Sequence, residues 1–356
     1  MNDYKICYGS SRNSVKWKNS YVKWSDFIER LKNTVRTSET VEEYAKLPKG
    51  SKDKIKDIGG FVAGHISGER RKKENVLSRS MITLDMDEVT NDFLANKDKL
   101  PKYKWLIYST HKHKPEAPRL RFIIPLSRDI SPEEYGAVSR MVAKDLGIDM
   151  MDKSTFEVNR MMYWPSTSIN GVYVFEVNDG EVLNPDEILN RYDDWHDVST
   201  WPKHKSELEV VRDVTSNKKQ DPLSIDGVVG AFCKCYSIST VIEKYLSDVY
   251  EPTSYEDRYD YIPADSSAGV IVYEDKFIYS HHATDPASGK LMNAFEIVMA
   301  HKFKDLSGEE LNEKIREEIR NKNKDLKGQM SSQGTTPRRY TDLIGSLCDL
   351  TSGSGD

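Results

Sequence analysis

At 356 residues the chain is longer than one ordinary hydrophobic core requires, so two domains are the first expectation. Charged residues make up 31% and the mean hydropathy is −0.66, yet an aromatic content of 10% argues against wholesale disorder. No apolar run is long enough for a bilayer, the start lacks the apolar stretch of a signal peptide, and four cysteines (Cys7, Cys233, Cys235, Cys348) are too sparse for a disulfide scaffold, so a cytoplasmic protein is expected.

The net charge of −5 is unevenly spread: residues 1–80 carry 18 Lys/Arg against 10 Asp/Glu, a net +8, and the remainder 34 against 47, a net −13. A basic N-terminal part suits a phosphate backbone, and it equally suits a solvated lysine-rich surface. Along the chain, Lys5–Tyr8 and Ser14–Trp17 read as short strands, and Trp24–Val35 as an amphipathic helix with Trp24, Phe27, Ile28 and Leu31 on one face. Closely spaced glycines from Asp57 to Gly64 lead into an apolar strand, Arg70–Lys73 is a basic turn, and Arg79–Asp87 is a buried strand ending in acids. A helix over Asn91–Asp98 and a strand over Lys104–Ser109 follow, then a polar loop, His111–Pro118. Arg119–Leu126 alternates, with Leu120, Phe122, Ile124 and Leu126 on one side and Arg119 and Arg121 on the other. Ser131-Pro-Glu-Glu opens a capped helix to about Leu146, Gly171–Val177 is a strand, and Asn184-Pro-Asp-Glu starts another capped helix.

Strands alternating with helices over 1–195 predict one compact domain, and the polar, aperiodic stretch 196–222 a linker. Beyond it come helices over Ser224–Tyr236 and Ser239–Val249, strands over Arg258–Ile262, Gly269–Tyr273 and Phe277–Ser280, and helices over Asn293–Phe303 and Leu306–Asn323. The accessory unit thus covers 223–328, and the Ser/Thr/Gly-rich segment 329–356 reads as a disordered tail.

Three sets of residues can carry chemistry. Strand alternation turns Asp85 and Asp87 to one side while Leu84 and Met86 face the core, and two adjacent carboxylates suit Mg²⁺ or Mn²⁺. Alone, such an Asp-x-Asp is shared with solvated strand-end acids and with nucleotide-sugar transferases. Ser109 and His111 end the next strand, where hydroxyl and imidazole can meet phosphate oxygens; Arg119 and Arg121 add guanidiniums with the same affinity. Asp149, Asp152 and Arg160 supply a further acid and cation ahead of Tyr163-Trp164-Pro165, whose aromatic rings suit either base stacking or core packing.

The order apolar-Asp-x-Asp, Ser-x-His, apolar-flanked Asp resembles the three-motif signature of the archaeo-eukaryotic primase (prim-pol) superfamily. The text from Ser109 to Phe122, Ser-Thr-His-Lys-His-Lys-Pro-Glu-Ala-Pro-Arg-Leu-Arg-Phe, and Asn-Arg-Met-Met-Tyr-Trp-Pro from Asn159, is similar to phage and plasmid replication proteins of the virulence-associated-protein-E type. The resemblance implies an α+β primase fold, an RRM-like sheet packed with an N-terminal α/β module and the active site between them, joined to a smaller α+β C-terminal domain of helicase-linking type. It implies Asp85, Asp87 and Asp152 (preferred to Asp149) as ligands of two Mg²⁺ or Mn²⁺ ions, and Ser109 and His111 at the incoming nucleotide. Arg119, Arg121 and Arg160 would contact phosphate or template. The implied activity is primer synthesis from NTPs or dNTPs on single-stranded DNA in a bacterial host cell. The sequence has no G-x-x-x-x-G-K-[S/T] loop, so a separate helicase is the expected partner of a chain that either stands alone or is part of a longer protein.

Cys233-x-Cys235 with His281 and His282 departs from zinc-site spacing, and no structural zinc is expected. Two rival functions remain: a rolling-circle initiator or relaxase, for which His111-Lys-His113 would be the metal motif, and a catalytically inactive DNA-binding, helicase-loading protein.

Overall fold

The computed structural model describes residues 3–90, 93, 95–96, 100–207 and 220–303, with isolated positions at 313, 317, 320 and 321. The helices expected over 91–98 and 306–323 fall largely outside the described residues, and the tail from 329 wholly so. The chain divides into two compact units: Met1–Leu208 with Ala264–Ser266 and His282–Asp285, and Glu209–Pro263 with Ser267–His281 and Pro286–Asp356.

The first unit is built on a five-stranded antiparallel sheet in the order β11-β7-β8-β6-β5. Its strands are β5 (Gly64–Ile66), β6 (Val76–Met86), β7 (Trp105–Ser109), β8 (Leu120–Ile130) and β11 (Phe175–Asn178). Alternation along β6 sends Ile82, Leu84 and Met86 into one core with Phe122 and Ile124 of β8, closed by α4 (Pro132–Leu146). Met81, on the opposite face, joins Leu106, Tyr108 and Ile123 against a second sheet, β2-β1-β4-β9. That sheet comprises β1 (Asp3–Gly9), β2 (Lys18–Lys23), β4 (Gly60–Val62) and β9 (Met162–Tyr163), with helix α1 (Trp24–Lys32) packing Phe27 and Leu31 on it. Burial on both faces explains why the central strands read as nearly continuous apolar runs. At Gly64 a Cβ would lie 1.8 Å from the Ser78 carbonyl oxygen, so the close approach of β5 to β6 requires glycine.

Two local devices fix the frame. Helix α4 starts in a capping box: Ser131 Oγ accepts from Glu134 N–H at 3.1 Å, and Glu134 Oε2 accepts from Ser131 N–H at 2.7 Å. Arg79, wholly buried in β6, donates to the carbonyls of Ala63 (3.0 Å) and Val158 (2.6 Å) and to Thr83 Oγ1 (2.8 Å), under the Tyr135 ring. It thereby ties the segment after α4 to β6.

Some elements differ from expectation. Ser14–Trp17 is irregular rather than a strand, following a turn at Arg12–Asn13 where Asp57 draws in Ser11 Oγ and the Arg12 N–H, while Trp17 buries its indole. The first helix stops at Lys32, three residues early, since β3 (Val35–Arg36) leaves to pair in parallel with β10 (Ser166–Thr167). Two short helices, α2 (Val41–Lys46) and α3 (Lys49–Ile55), occupy a stretch with no apolar period; α2 is nucleated by its own capping box, Thr40 with Glu43. Trp164 is a core residue, packed on Phe61 with Arg30 stacked 3.6 Å over its ring.

The second unit is an antiparallel meander, β12 (Tyr250–Pro252), β13 (Arg258–Tyr261), β14 (Val270–Tyr273), β15 (Phe277–Ser280) and β16 (Leu291–Asn293), each pairing with the next. The first unit also carries helix α5 (Pro185–Leu189), and the second carries α6 (Gly227–Cys235), α7 (Ile238–Tyr245) and α8 (Ala294–Lys302). Asn293 caps α8 through a box with Glu296.

Candidate functional site

A cavity of about 520 Å³ opens at the end of the central sheet in the first unit. Its walls come from the sheet, the α3 region and the segment 152–166. Asp85, Asp87, Ser109, His111, Arg119, Arg121, Asp152 and Arg160, the residues singled out from sequence, all line it; Asp149 does not.

The acids are gathered by main-chain pairing. Met86 and Met151 form an antiparallel bridge, Asp152 N–H donates to the Asp85 carbonyl at 2.8 Å, and Asp87 N–H donates to the Met150 carbonyl at 3.0 Å. Thr155 Oγ1 accepts the Asp85 N–H at 2.8 Å. Asp149 instead turns away and accepts the Lys205 N–H.

Each acid meets a guanidinium. Asp85, 6% exposed, lies opposite Arg121, which in turn lies opposite Tyr108. Arg160 donates to Asp85 Oδ2 at 2.9 Å and stands 3.6 Å from Asp152 Oδ1; Arg121 Nε is 3.4 Å from Asp85 Oδ1; Arg119 meets Asp87 Oδ2 at 2.6 Å. Burial penalises the Asp85 charge, but Arg121 and Arg160 outweigh it and hold the carboxyl below its ordinary range. Arg121 is further fixed by the Tyr163 carbonyl at 3.0 Å.

The donor chemistry suits a divalent cation with oxygen ligands: three carboxylates on one wall, with Asp85 Oδ1 buried and without a hydrogen-bond partner. Among the described residues no three His, Cys, Asp or Glu side chains converge tightly enough to enclose an ion, and each of these acids faces an arginine instead. Asp85, Asp87 and Asp152 would hold the ion once Arg119 and Arg160 yield to it.

The wall also carries an excess of positive charge, eight Lys/Arg against five Asp/Glu. Arg12 and Lys56 share Asp53, whereas Lys49, Arg71 and Lys112 have no carboxylate within ion-pair reach among the described residues. Burial, then the neighbouring Lys56 and Arg119, lower the Lys112 pKa. The Nε–H groups of Arg71 and Arg160 are buried and without hydrogen-bond partners, and that of Arg121 has only its 3.4 Å ion-pair contact with Asp85.

Ser109 Oγ accepts the Val174 N–H at 2.9 Å, keeping its own proton free to donate. His111 is engaged at both nitrogens, Nδ1 with Ser166 Oγ at 2.9 Å and Nε2 with Glu39 Oε1 at 3.1 Å. Glu39, Ser166, Lys49, Arg71 and Lys112 carried no expected role. The basic turn at Arg70–Lys73 is the sequence signal for Arg71, Lys112 follows His111 directly, and Ser166 is set in place by the pairing of β10 with β3.

Residues 2–204 match the model of the VapE N-terminal domain family, more than half of the chain. The chain belongs to that family. It is the family to which the order of motifs pointed. No curated protein matches this VapE-type chain. Among solved structures, the chain is similar to the AEP domain of the cyanophage S-2L primase-polymerase, with a TM-score of 0.32 and 10% identity over 52% of this chain and 88% of that one.

In the second unit, Cys233 is buried and Cys235 half-buried. His282 Nδ1 bonds Ser266 Oγ at 2.9 Å within the residues grouped with the first unit.

Proposed function

We propose that this VapE-type chain is a DNA primase-polymerase that joins nucleotides on single-stranded DNA by two-metal nucleotidyl transfer, in phage or plasmid replication. The observation that carries the reading is the placing of three carboxylates on one wall of a cavity whose remaining charge is positive. Bound Mg²⁺ or Mn²⁺ would supply activation of a 3′-hydroxyl and charge for the leaving pyrophosphate. Asp85, Asp87 and Asp152 provide the ligands. Arg121, pinned by Tyr163 and Tyr108, keeps Asp85 ionised and oriented. Arg119 and Arg160, released from the acids, turn their guanidiniums to phosphate oxygens together with Lys49, Arg71 and Lys112. Ser109 donates its hydroxyl proton, and His111 meets the phosphates beside Ser166.

The rival relaxase reading needs His111 and His113 as a metal pair. They bond different partners: His113 Nδ1 accepts the Arg119 N–H at 3.3 Å, and His111 bonds Glu39 and Ser166. One observation favours the inactive, DNA-binding reading, namely that every acid is already answered by an arginine. A separate helicase would open the duplex, in the bacterial cytoplasm; among the described residues no helix is long and apolar enough to cross a membrane.

The test is incubation with single-stranded DNA, Mn²⁺ or Mg²⁺ and labelled nucleotides. Synthesis that an Asp85→Ala/Asp87→Ala variant lacks supports the assignment; synthesis that survives it removes the site, and no synthesis under any metal or nucleotide favours the inactive reading.

A further inference from the structure

Glu39 belongs to none of the motifs, yet its carboxylate accepts from three side chains beside the cavity. Its side chain is 13% exposed and sits between β3 and α2. Oε1 accepts from Thr37 Oγ1 at 2.7 Å, His111 Nε2 at 3.1 Å and Ser168 Oγ at 3.2 Å. These hydrogen bonds, against the opposing effect of burial, hold its pKa below the ordinary value, so it is a carboxylate at neutral pH.

A carboxylate only accepts, so Nε2 of His111 carries the hydrogen. The neutral ring then has its lone pair at Nδ1, and Ser166 Oγ–H donates into it across 2.9 Å. His111 and Ser166 line the cavity, and Glu39 stands behind them. An anion entering beside Ser166 therefore meets a nitrogen without a proton. To donate to a phosphate oxygen, Nδ1 must first take one up, and the resulting imidazolium lies between two anions.

We propose that Glu39 is a positioning residue that couples nucleotide binding to protonation of His111, so that a bound polyphosphate is held by an imidazolium whose other nitrogen remains on Glu39. The inference rests on the reading above that nucleotide phosphates enter this cavity. The proton comes from solvent and goes to Nδ1; no covalent bond changes. The groups facing the ring set the sign. Burial, assisted by Lys56, lowers the pKa of free His111, while Glu39 raises it; the Tyr44 ring, 4.5 Å away between centroids, and the Ser166 hydroxyl bear no charge. The free ring is therefore neutral near pH 7.5, and a phosphate brought to Nδ1 raises its pKa in the complex. Affinity is fully developed below the free-state pKa and is lost as pH rises through the complex's pKa.

The experiment is calorimetry of a non-hydrolysable nucleoside triphosphate binding to the full chain with Mg²⁺ and without template, in buffers of unlike ionisation enthalpy, at several pH values. The wild type takes up a proton, approaching about one per nucleotide, and its affinity falls by up to about tenfold per pH unit through that window. Glu39→Gln loses most of the uptake and the pH slope, and Glu39→Asp restores part of both. Ser166→Ala, which keeps Glu39, retains the uptake and checks that loss in Glu39→Gln is not general damage to the site. Binding without uptake in the wild type, or uptake that Glu39→Gln keeps, overturns the role of Glu39 while leaving the nucleotide reading intact. No nucleotide binding by the wild type refutes that reading and this inference together.

Discussion

Arg160→Met asks whether the arginine is a counter-ion that a divalent ion must displace. The guanidinium makes one charge-assisted hydrogen bond to the buried Asp85, at 2.9 Å, and a longer contact to Asp152, at 3.6 Å. The first is worth about 1.5–3 kcal/mol. The second, to a part-exposed acid beyond hydrogen-bond range, adds about 0.5 kcal/mol at most. Methionine fills the stem volume, so the variant should unfold about 2–3 kcal/mol more easily at pH 7.5. All six tryptophans lie at or before Trp201, so urea unfolding followed by tryptophan fluorescence reports on the first unit alone. Because Asp85 is held below its ordinary pKa, its pairing stabilises the fold above about pH 3.9 and the contribution disappears as pH falls through the depressed value. The gap between variant and wild type should therefore close on acidification. Adding Mn²⁺ should also close it, since the ion replaces the missing charge. Relief of about 2 kcal/mol of competition corresponds to roughly 30-fold tighter Mn²⁺ binding by the variant, measured by calorimetry. A variant as stable as the wild type, or one that binds Mn²⁺ more weakly, would refute the reasoning.

Arg79→Met should destabilise the first unit by about 3–5 kcal/mol, because three buried acceptors lose their donor; a loss below about 1 kcal/mol in the same urea experiment contradicts the bracing role. Asp152→Asn should weaken Mn²⁺ binding at least about tenfold, as expected for loss of one charged ligand, while Asp149→Asn leaves it within about twofold; equal effects would remove the distinction drawn between them. Lys49→Ala and Lys112→Ala should each weaken nucleotide binding and flatten its dependence on salt. An unchanged salt slope in both would show that these lysines do not face the phosphates.

The sequence made the central strands and their inward faces legible because burial imposes period two on β6 and β8. Leu84 and Met86 do face the core as alternation requires. The same rule described Asp87 less well. The strand ends at Met86, and Asp87 reaches the cavity through a bend held by the Met150 carbonyl, a partner more than sixty positions away. Arg121 shows a related limit. Its place on the side of β8 opposite Leu120 and Phe122 was readable, but its burial was not, because that depends on Asp85 and Tyr108 lying opposite it in register. Glu39 and Ser166 could not have been found locally, since their meeting at His111 depends on β3 pairing with β10 across the chain. The short helices between Val41 and Ile55 were invisible for another reason: too few apolar residues to set a period, with the Thr40–Glu43 box as their one local signal.

Template-directed synthesis is the most direct test of the account, run with NTPs and dNTPs separately on single-stranded DNA with Mg²⁺ or Mn²⁺. Labelled products complementary to the template, made by the wild type and lost in Asp85→Ala/Asp87→Ala, are the predicted result. Products made equally well by that double variant, or a covalent tyrosyl–DNA adduct in place of synthesis, would contradict it.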